Sequence, residues 1–406
     1  PDASAELLTP LRKDEIIPTA RLSRRGFLGL GAASAALATE GCIRRPVEHI
    51  YPYTKAPEYV IPGVASHYAT ILSRRDEYVG ALVECHEGRP TKIEGNEEHP
   101  TSLGSADALM QSATMDLYDA DRSGDVREAK GKKSDWASFD KAFDAILKTL
   151  AADGGSKLRV LVRPSNSPTQ NRLRMAASEK LPHARFHFYA PVSQGNVHGG
   201  GKIAFGQAVT PRYNYAFAKT IVSLDADFLQ TEQGSLHATK GFVRGRRMER
   251  PTDTMSRLYV VEPTLTVTGA NADDRWRLPA SDVDAFARAL AGELASRGID
   301  LGPVKDAVAG AKAPEGADAF LKAIADDLVA NKGKSVVCAG RRQPAHVHAL
   351  VHALNTALEN VGRTASYAPV ADVTVPDDLG ADLKALADDI DQNKVDVLLI
   401  LGGNPV

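Results

Sequence analysis

From residue 134 onward, short apolar runs alternate with longer segments whose apolar residues recur every three or four positions. The runs at 158–162, 185–189, 220–224, 258–261, 335–339 and 395–401 predict buried strands. Helices are expected between them, at 169–181, 281–297, 318–331, 346–360 and 379–393. An earlier helix, capped by Ser134, would carry Trp136, Phe139, Phe143, Ile146 and Leu150 on one face. Apolar strands bounded by helices imply an α/β fold, a mostly parallel doubly wound sheet covered on both faces. Upstream the pattern differs. Residues 67–73, 78–84 and 91–94 read as short strands around turns at Gly88 and Gly95-Asn96, followed by a helix over 106–119. This divides the chain into a polar tail with a leader-like segment (1–42), an extended segment (43–64), a small β-rich domain (65–133) and an α/β region (134–406). Pro46, Pro52, Pro57 and Pro62 exclude regular helix from the second of these.

The leader-like segment is Ser23-Arg24-Arg25-Gly26-Phe27-Leu28, followed by small and apolar residues as far as Ala38. Paired arginines before a short apolar run are the pattern of a twin-arginine export signal. The run is shorter than the roughly 20 residues a membrane-spanning helix requires. Gly29-Leu30-Gly31-Ala32-Ala33-Ser34 lacks the third glycine and the preceding strand of a dinucleotide-binding turn. Two ends of the signal remain open: cleavage after the small residues Ala36-Leu37-Ala38, or lipidation at Cys42. Either places the protein on the outer, periplasmic side of the cytoplasmic membrane, having crossed it already folded.

Composition narrows the chemistry. The 406 residues imply more than one domain by length, and 49 basic against 51 acidic side chains leave a net charge of −2. No basic stripe for nucleic acid results. Arg244-Gly245-Arg246-Arg247 reads as a solvated turn. The three cysteines, Cys42, Cys85 and Cys338, are too far apart for a CxxC motif, haem attachment or a cluster. Cys338 lies in an apolar strand, where cysteine is usually a small hydrophobe. His346, His348 and His352 invite a metal reading, the last two sharing a helix face. The acidic residue of an HExxH site is absent, because residue 349 is Ala, so packing or capping histidines are expected and no metal is assigned. Gly199-Gly200-Gly201 reads either as a turn or as a close backbone approach to a cofactor.

Several stretches together resemble the molybdopterin oxidoreductase superfamily: Glu87-Gly88-Arg89-Pro90-Thr91-Lys92-Ile93-Glu94-Gly95-Asn96-Glu97-Glu98-His99-Pro100, Leu117-Tyr118-Asp119-Ala120-Asp121-Arg122, the segment from Val260 to Asp273, and Leu401-Gly402-Gly403-Asn404-Pro405. With the arginine pair, Tyr59-Val60-Ile61-Pro62-Gly63-Val64-Ala65, Ala204-Phe205-Gly206-Gln207, Ser223-Leu224-Asp225-Ala226-Asp227-Phe228-Leu229 and Val347-His348-Ala349-Leu350, they resemble more narrowly the large iron–sulfur subunit of alternative complex III. The resemblance implies part of an electron-transfer subunit in a membrane-bound quinol oxidoreductase. Its partners would be a membrane quinol-oxidising subunit and multihaem and monohaem cytochromes c. Cluster-bearing members keep three cysteines near 67–73, where this sequence has none, and a fourth where Asp107 stands. Ser193 stands near the place of a molybdenum-ligating cysteine, and Gly403 and Asn404 near a cofactor-contacting strand end. These four are therefore expected to be vestigial. The region would carry no catalytic residue and no cofactor, with iron–sulfur clusters in a ferredoxin-like domain beyond Val406. The alternative is a catalytic periplasmic molybdopterin oxidoreductase with an oxygen ligand to the metal.

Overall fold

The computed structural model describes residues 59–74, 77–370 and 374–402, of which 61 onward belong to one compact unit. Arg24, Arg25, Cys42, Gly403 and Asn404 lie outside the described residues. The chain begins with three antiparallel strands, β1 (Ser66–Arg74), β2 (Glu77–His86) and β3 (Arg89–Gly95), with a bulge at Glu84/Cys85. Helix α1 (Ala108–Tyr118) crosses this sheet and buries Met110 against Val79, Ala81 and Ile93.

Two parallel sheets follow. The larger has the order β10-β7-β8-β9: β10 (Ser335–Ala339), β7 (Thr220–Leu224), β8 (Arg257–Glu262) and β9 (Asp274–Arg277). Its central strands are apolar on both faces because helices cover both, as the uninterrupted runs predict. Val222, Leu224, Tyr259 and Val261 meet α7 (Val283–Ser296), α8 (Asp318–Ala330) and α9 (Ala345–Ala357). Ile221, Leu258, Val260 and Cys338 meet Tyr215, Phe228 and Phe242 on the opposite side, the last on α5 (Ser235–Arg246). The β8–β9 connection includes a one-turn helix, α6 (Val267–Ala270). An open strand edge on β10 would expose backbone groups. Asn355 of α9 closes it: its side chain accepts from Val337 N (3.1 Å) and donates to Val337 O (2.7 Å).

The smaller sheet has the order β12-β4-β5, with β4 (Leu158–Val162), β5 (Arg185–Phe188) and β12 (Val397–Leu401). Around it run α2 (Trp136–Ala151), α3 (Pro168–Lys180) and α10 (Leu379–Asp391). Arg159 of β4 reaches Asp389 of α10 at 2.7 Å, with both side chains buried. An antiparallel pair, β6 (Val209–Tyr213) with β11 (Ala365–Pro369), and helix α4 (Gly195–Phe205) complete the fold. No helix among the described residues is long and apolar enough to cross a membrane.

Two expectations need correction, and the face of α2 adds a finding. Asp135, not Ser134, caps α2: its carboxylate accepts from Ser138 N at 2.7 Å, while the Ser134 hydroxyl donates to Glu128. Arg244, Gly245 and Arg246 form the last turn of α5 rather than a solvated turn, and Arg246 binds Asp273 through two bonds of 2.6 and 2.8 Å. The aromatic face of α2 is not core. Only Leu150 is buried, whereas Trp136 is 70% exposed and Phe139 43%. The rings pack on one another instead, with Trp136–Phe139 edge-to-face at 5.7 Å and Phe139–Phe143 stacked at 5.5 Å.

Candidate functional site

In doubly wound sheets, ligands settle outside the carboxyl ends of the strands, where the strand order reverses. In the larger sheet this point lies between β7 and β10, and the chain fills it with its own side chains. Asp225, at φ +54°, accepts from Arg342 Nη2 (2.7 Å) and Gln343 Nε2 (2.9 Å). Gly340 abuts the Asp225 carbonyl so closely that a Cβ there would lie 1.8 Å from its oxygen. Arg341 donates from its guanidinium to Thr231 O (2.8 Å) and from its backbone N–H to the Glu232 carboxylate.

Burial pushes the Glu232 carboxyl up to about 7, against the pull of Arg341. A carboxyl raised in the fold binds its proton more tightly than the unfolded chain does. Its contribution to stability is therefore full below its ordinary value near 4.5 and declines as pH rises through 7. Urea unfolding of Glu232→Gln should match wild type below pH 4.5. Above pH 7 the variant should be the more stable, by at most about 3 kcal/mol. Parallel curves across that window would refute this.

Beyond β5 an open cleft of about 730 Å³ holds Ser193. Tyr189 and Ser193 line one side, and the first turns of α4, α9 and α10 line the rest. Three helix N-termini favour negative charge. α4 and α9 start without a side-chain cap, and the Asp378 carboxylate caps α10 by accepting from Ala381 N at 2.9 Å. Asp377 also lines the cleft and pairs with Lys202 of α4 at 2.6 Å. Burial lowers the pKa of His198 on the same helix, opposed by Asp377. Ser193 Oγ accepts from Gly195 N at 3.2 Å and so supports the entry to α4.

Asp107 is not among the residues lining this cleft. It caps α1, accepting from Met110 N at 3.0 Å, and its second oxygen takes Arg74 Nε at 2.5 Å. Arg74, at the end of β1 and only 3% exposed, also donates to Ser235 Oγ (2.9 Å), Gln230 O (3.2 Å) and Glu77 (3.4 Å). Glu77 accepts from Gly234 N. One guanidinium thus ties the antiparallel sheet to α1 and to the loop leading into α5. Sequence reading found Asp107 but missed Arg74, because nothing local to a strand end marks an arginine as buried. Nothing in the sequence around Asp225 shows that Arg342 and Gln343 return to it.

The cleft beside Ser193 sets the Asp377 and Asp378 carboxylates among three helix N-termini, and the crevice at Asp225 is filled by Arg342 and Gln343. A cluster needs thiolates. Cys85 and Cys338 are buried, and burial pushes the Cys338 thiol up to about 12. Where Asp107 stands, the partner is a guanidinium. Among the described residues, no group of three His, Cys, Asp or Glu side chains is placed to hold a metal ion.

The fold defines a class, a doubly wound α/β region preceded by a small antiparallel sheet. No family model matches the chain. Over 289 residues it is 24% identical to the menaquinone reductase molybdopterin-binding-like subunit of Nitratidesulfovibrio vulgaris, covering 68% of this chain and 40% of that protein. It therefore spans about two-fifths of the length of this curated relative. Among solved structures it is similar to acetylene hydratase from Pelobacter acetylenicus, at 16% identity and a TM-score of 0.48, over 71% of this chain and 42% of that one. It is also similar to the formyltransferase/hydrolase complex of Methylorubrum extorquens, at 16% identity and a TM-score of 0.41, over 65% and 74%.

Proposed function

We propose that this chain is a non-catalytic scaffold region of an electron-transfer subunit in a membrane-bound respiratory complex that oxidises or reduces a quinone, of the alternative complex III type. The observation that carries the reading is the pairing of buried Arg74 with half-buried Asp107, which holds an ion network where a cofactor-bearing relative would need thiolates. The occupied crevice at Asp225 and the carboxylates beside Ser193 support it. The relative's name, a molybdopterin-binding-like subunit of a menaquinone reductase, supports the quinone-linked setting. In this reading the region packs and orients partners: a membrane quinone-reactive subunit and cytochromes of the c type. Electrons pass through iron–sulfur clusters elsewhere in the polypeptide. The Arg24-Arg25 signal delivers the folded protein to the periplasmic face, and Cys42 is the residue for a lipid anchor.

The test is elemental analysis of the complex purified from membranes. The expected result is no molybdenum above background. One molybdenum per chain would overturn the proposal in favour of a catalytic molybdopterin oxidoreductase.

A further inference from the structure

Seven buried side-chain nitrogen and oxygen atoms among the described residues have no hydrogen-bond partner, and four of them are His348 Nε2, His352 Nδ1, His352 Nε2 and Tyr367 Oη. These four share one place in the fold. His348 and His352 stand one turn apart on α9, and Tyr367 lies on β11 beside them. The His352 ring meets the Tyr367 ring edge-on at 4.8 Å, and Phe205 of α4 lies 5.4 Å from the first and 4.8 Å from the second. Both imidazoles are almost wholly buried, at 2% and 1% exposure. An orphaned buried polar atom costs about 1–3 kcal/mol, and native folds rarely leave one without a reason.

The helix opposite approaches α9 closely at one glycine. Gly199, Gly200 and Gly201 sit inside α4, where each is about 1 kcal/mol less favourable than alanine. Gly200 faces α9: a Cβ there would lie 2.3 Å from the Cβ of His348. The sequence thus sacrifices helix propensity to seat an imidazole whose outer nitrogen then finds no protein donor.

We infer that His348 and His352 form a site for a divalent transition metal ion of the zinc, nickel or copper class. Imidazoles at i and i+4 project from one helix face, and neutral imidazole nitrogen is the ligand these borderline ions prefer. Three of the four ring nitrogens of the pair are buried without a hydrogen-bond partner, so their donor atoms are not committed elsewhere in the fold. Two imidazoles with water completing the shell make a weaker site than a four-ligand structural zinc site. The inference is independent of the scaffold reading, which concerns molybdenum and clusters.

The test uses the whole chain, stripped with a chelator, dialysed and titrated calorimetrically with zinc chloride. One equivalent should bind. His352→Gln should weaken binding at least tenfold, whereas His346→Ala, which alters the exposed histidine paired with Asp284, should leave it unchanged. Cu2+ loaded into wild type should show two nitrogen couplings in its electron paramagnetic resonance spectrum, a readout that does not require the variant to fold. No bound zinc in excess metal, loss of binding in His346→Ala, or copper with fewer than two nitrogen ligands would each overturn the inference.

Discussion

Arg74→Met should cost about 3–5 kcal/mol of unfolding free energy, the cost of leaving buried carboxylates without their cation. Arg74 is nearly inaccessible, and its fork reaches Asp107, Glu77, Ser235 and the Gln230 carbonyl together. Methionine fills much of the volume but makes none of these bonds. Asp107 would keep its cap on Met110 yet lose the charge that compensates its second oxygen. Arg74→Lys should recover only part of the loss, since a single ammonium cannot span four acceptors in fixed directions. Urea unfolding followed by far-ultraviolet circular dichroism checks this. A loss under about 1 kcal/mol, the range of a surface ion pair, would show that the network does not hold the β sheet to the rest.

Gly200→Ala sets two effects against each other. Alanine is the better helix former by about 1 kcal/mol. The new methyl would nevertheless lie 2.3 Å from His348 Cβ, 2.9 Å from the Ala345 carbonyl oxygen and 3.1 Å from Ala349 N. Two of those contacts are backbone, so α4 and α9 must separate. Overpacking of this kind costs about 1–3 kcal/mol, and more where backbone cannot yield. The clash should win, with a net loss of about 2 kcal/mol. Removing the opposing Cβ tests the cause: in a double-mutant cycle, His348→Gly should relieve part of the Gly200→Ala penalty. Additivity of the two substitutions would mean that the helices do not meet there.

The same helix shows where sequence reading succeeds and where it stops. The strands at Leu158–Val162, Thr220–Leu224 and Ser335–Ala339 fall where the apolar runs place them, because burial on both faces favours apolar residues at most positions and tolerates a polar one only with a partner, as Arg159 has in Asp389. Most long helices agree to within three residues of each predicted end for the same reason. Helix α4 was legible only as glycine and polarity. Its glycines favour a turn locally, and only the arrival of α9, from 150 residues downstream, makes them the right residues for a helix. The β6–β11 pair contains Pro211 and Pro369 and likewise exists through a long-range partner. Of the candidate site, Asp107 and Ser193 were visible as polar residues at positions a known pattern marks. Arg74, Arg342, Gln343 and Asp377 were not, since each acquires its role from a residue distant in sequence.

The open face of α2 has an optical consequence. The chain holds two tryptophans, Trp136 at the start of that face and Trp276 half-buried beside Phe320. Trp136 should emit at longer wavelength, as an indole in water does, and Trp276 at shorter wavelength from its half-buried setting. A Trp276→Phe variant would leave Trp136 as the sole indole fluorophore, and any molecule that covers α2 would shift its emission to shorter wavelength. The protein therefore carries its own reporter for binding at that face, with no label attached.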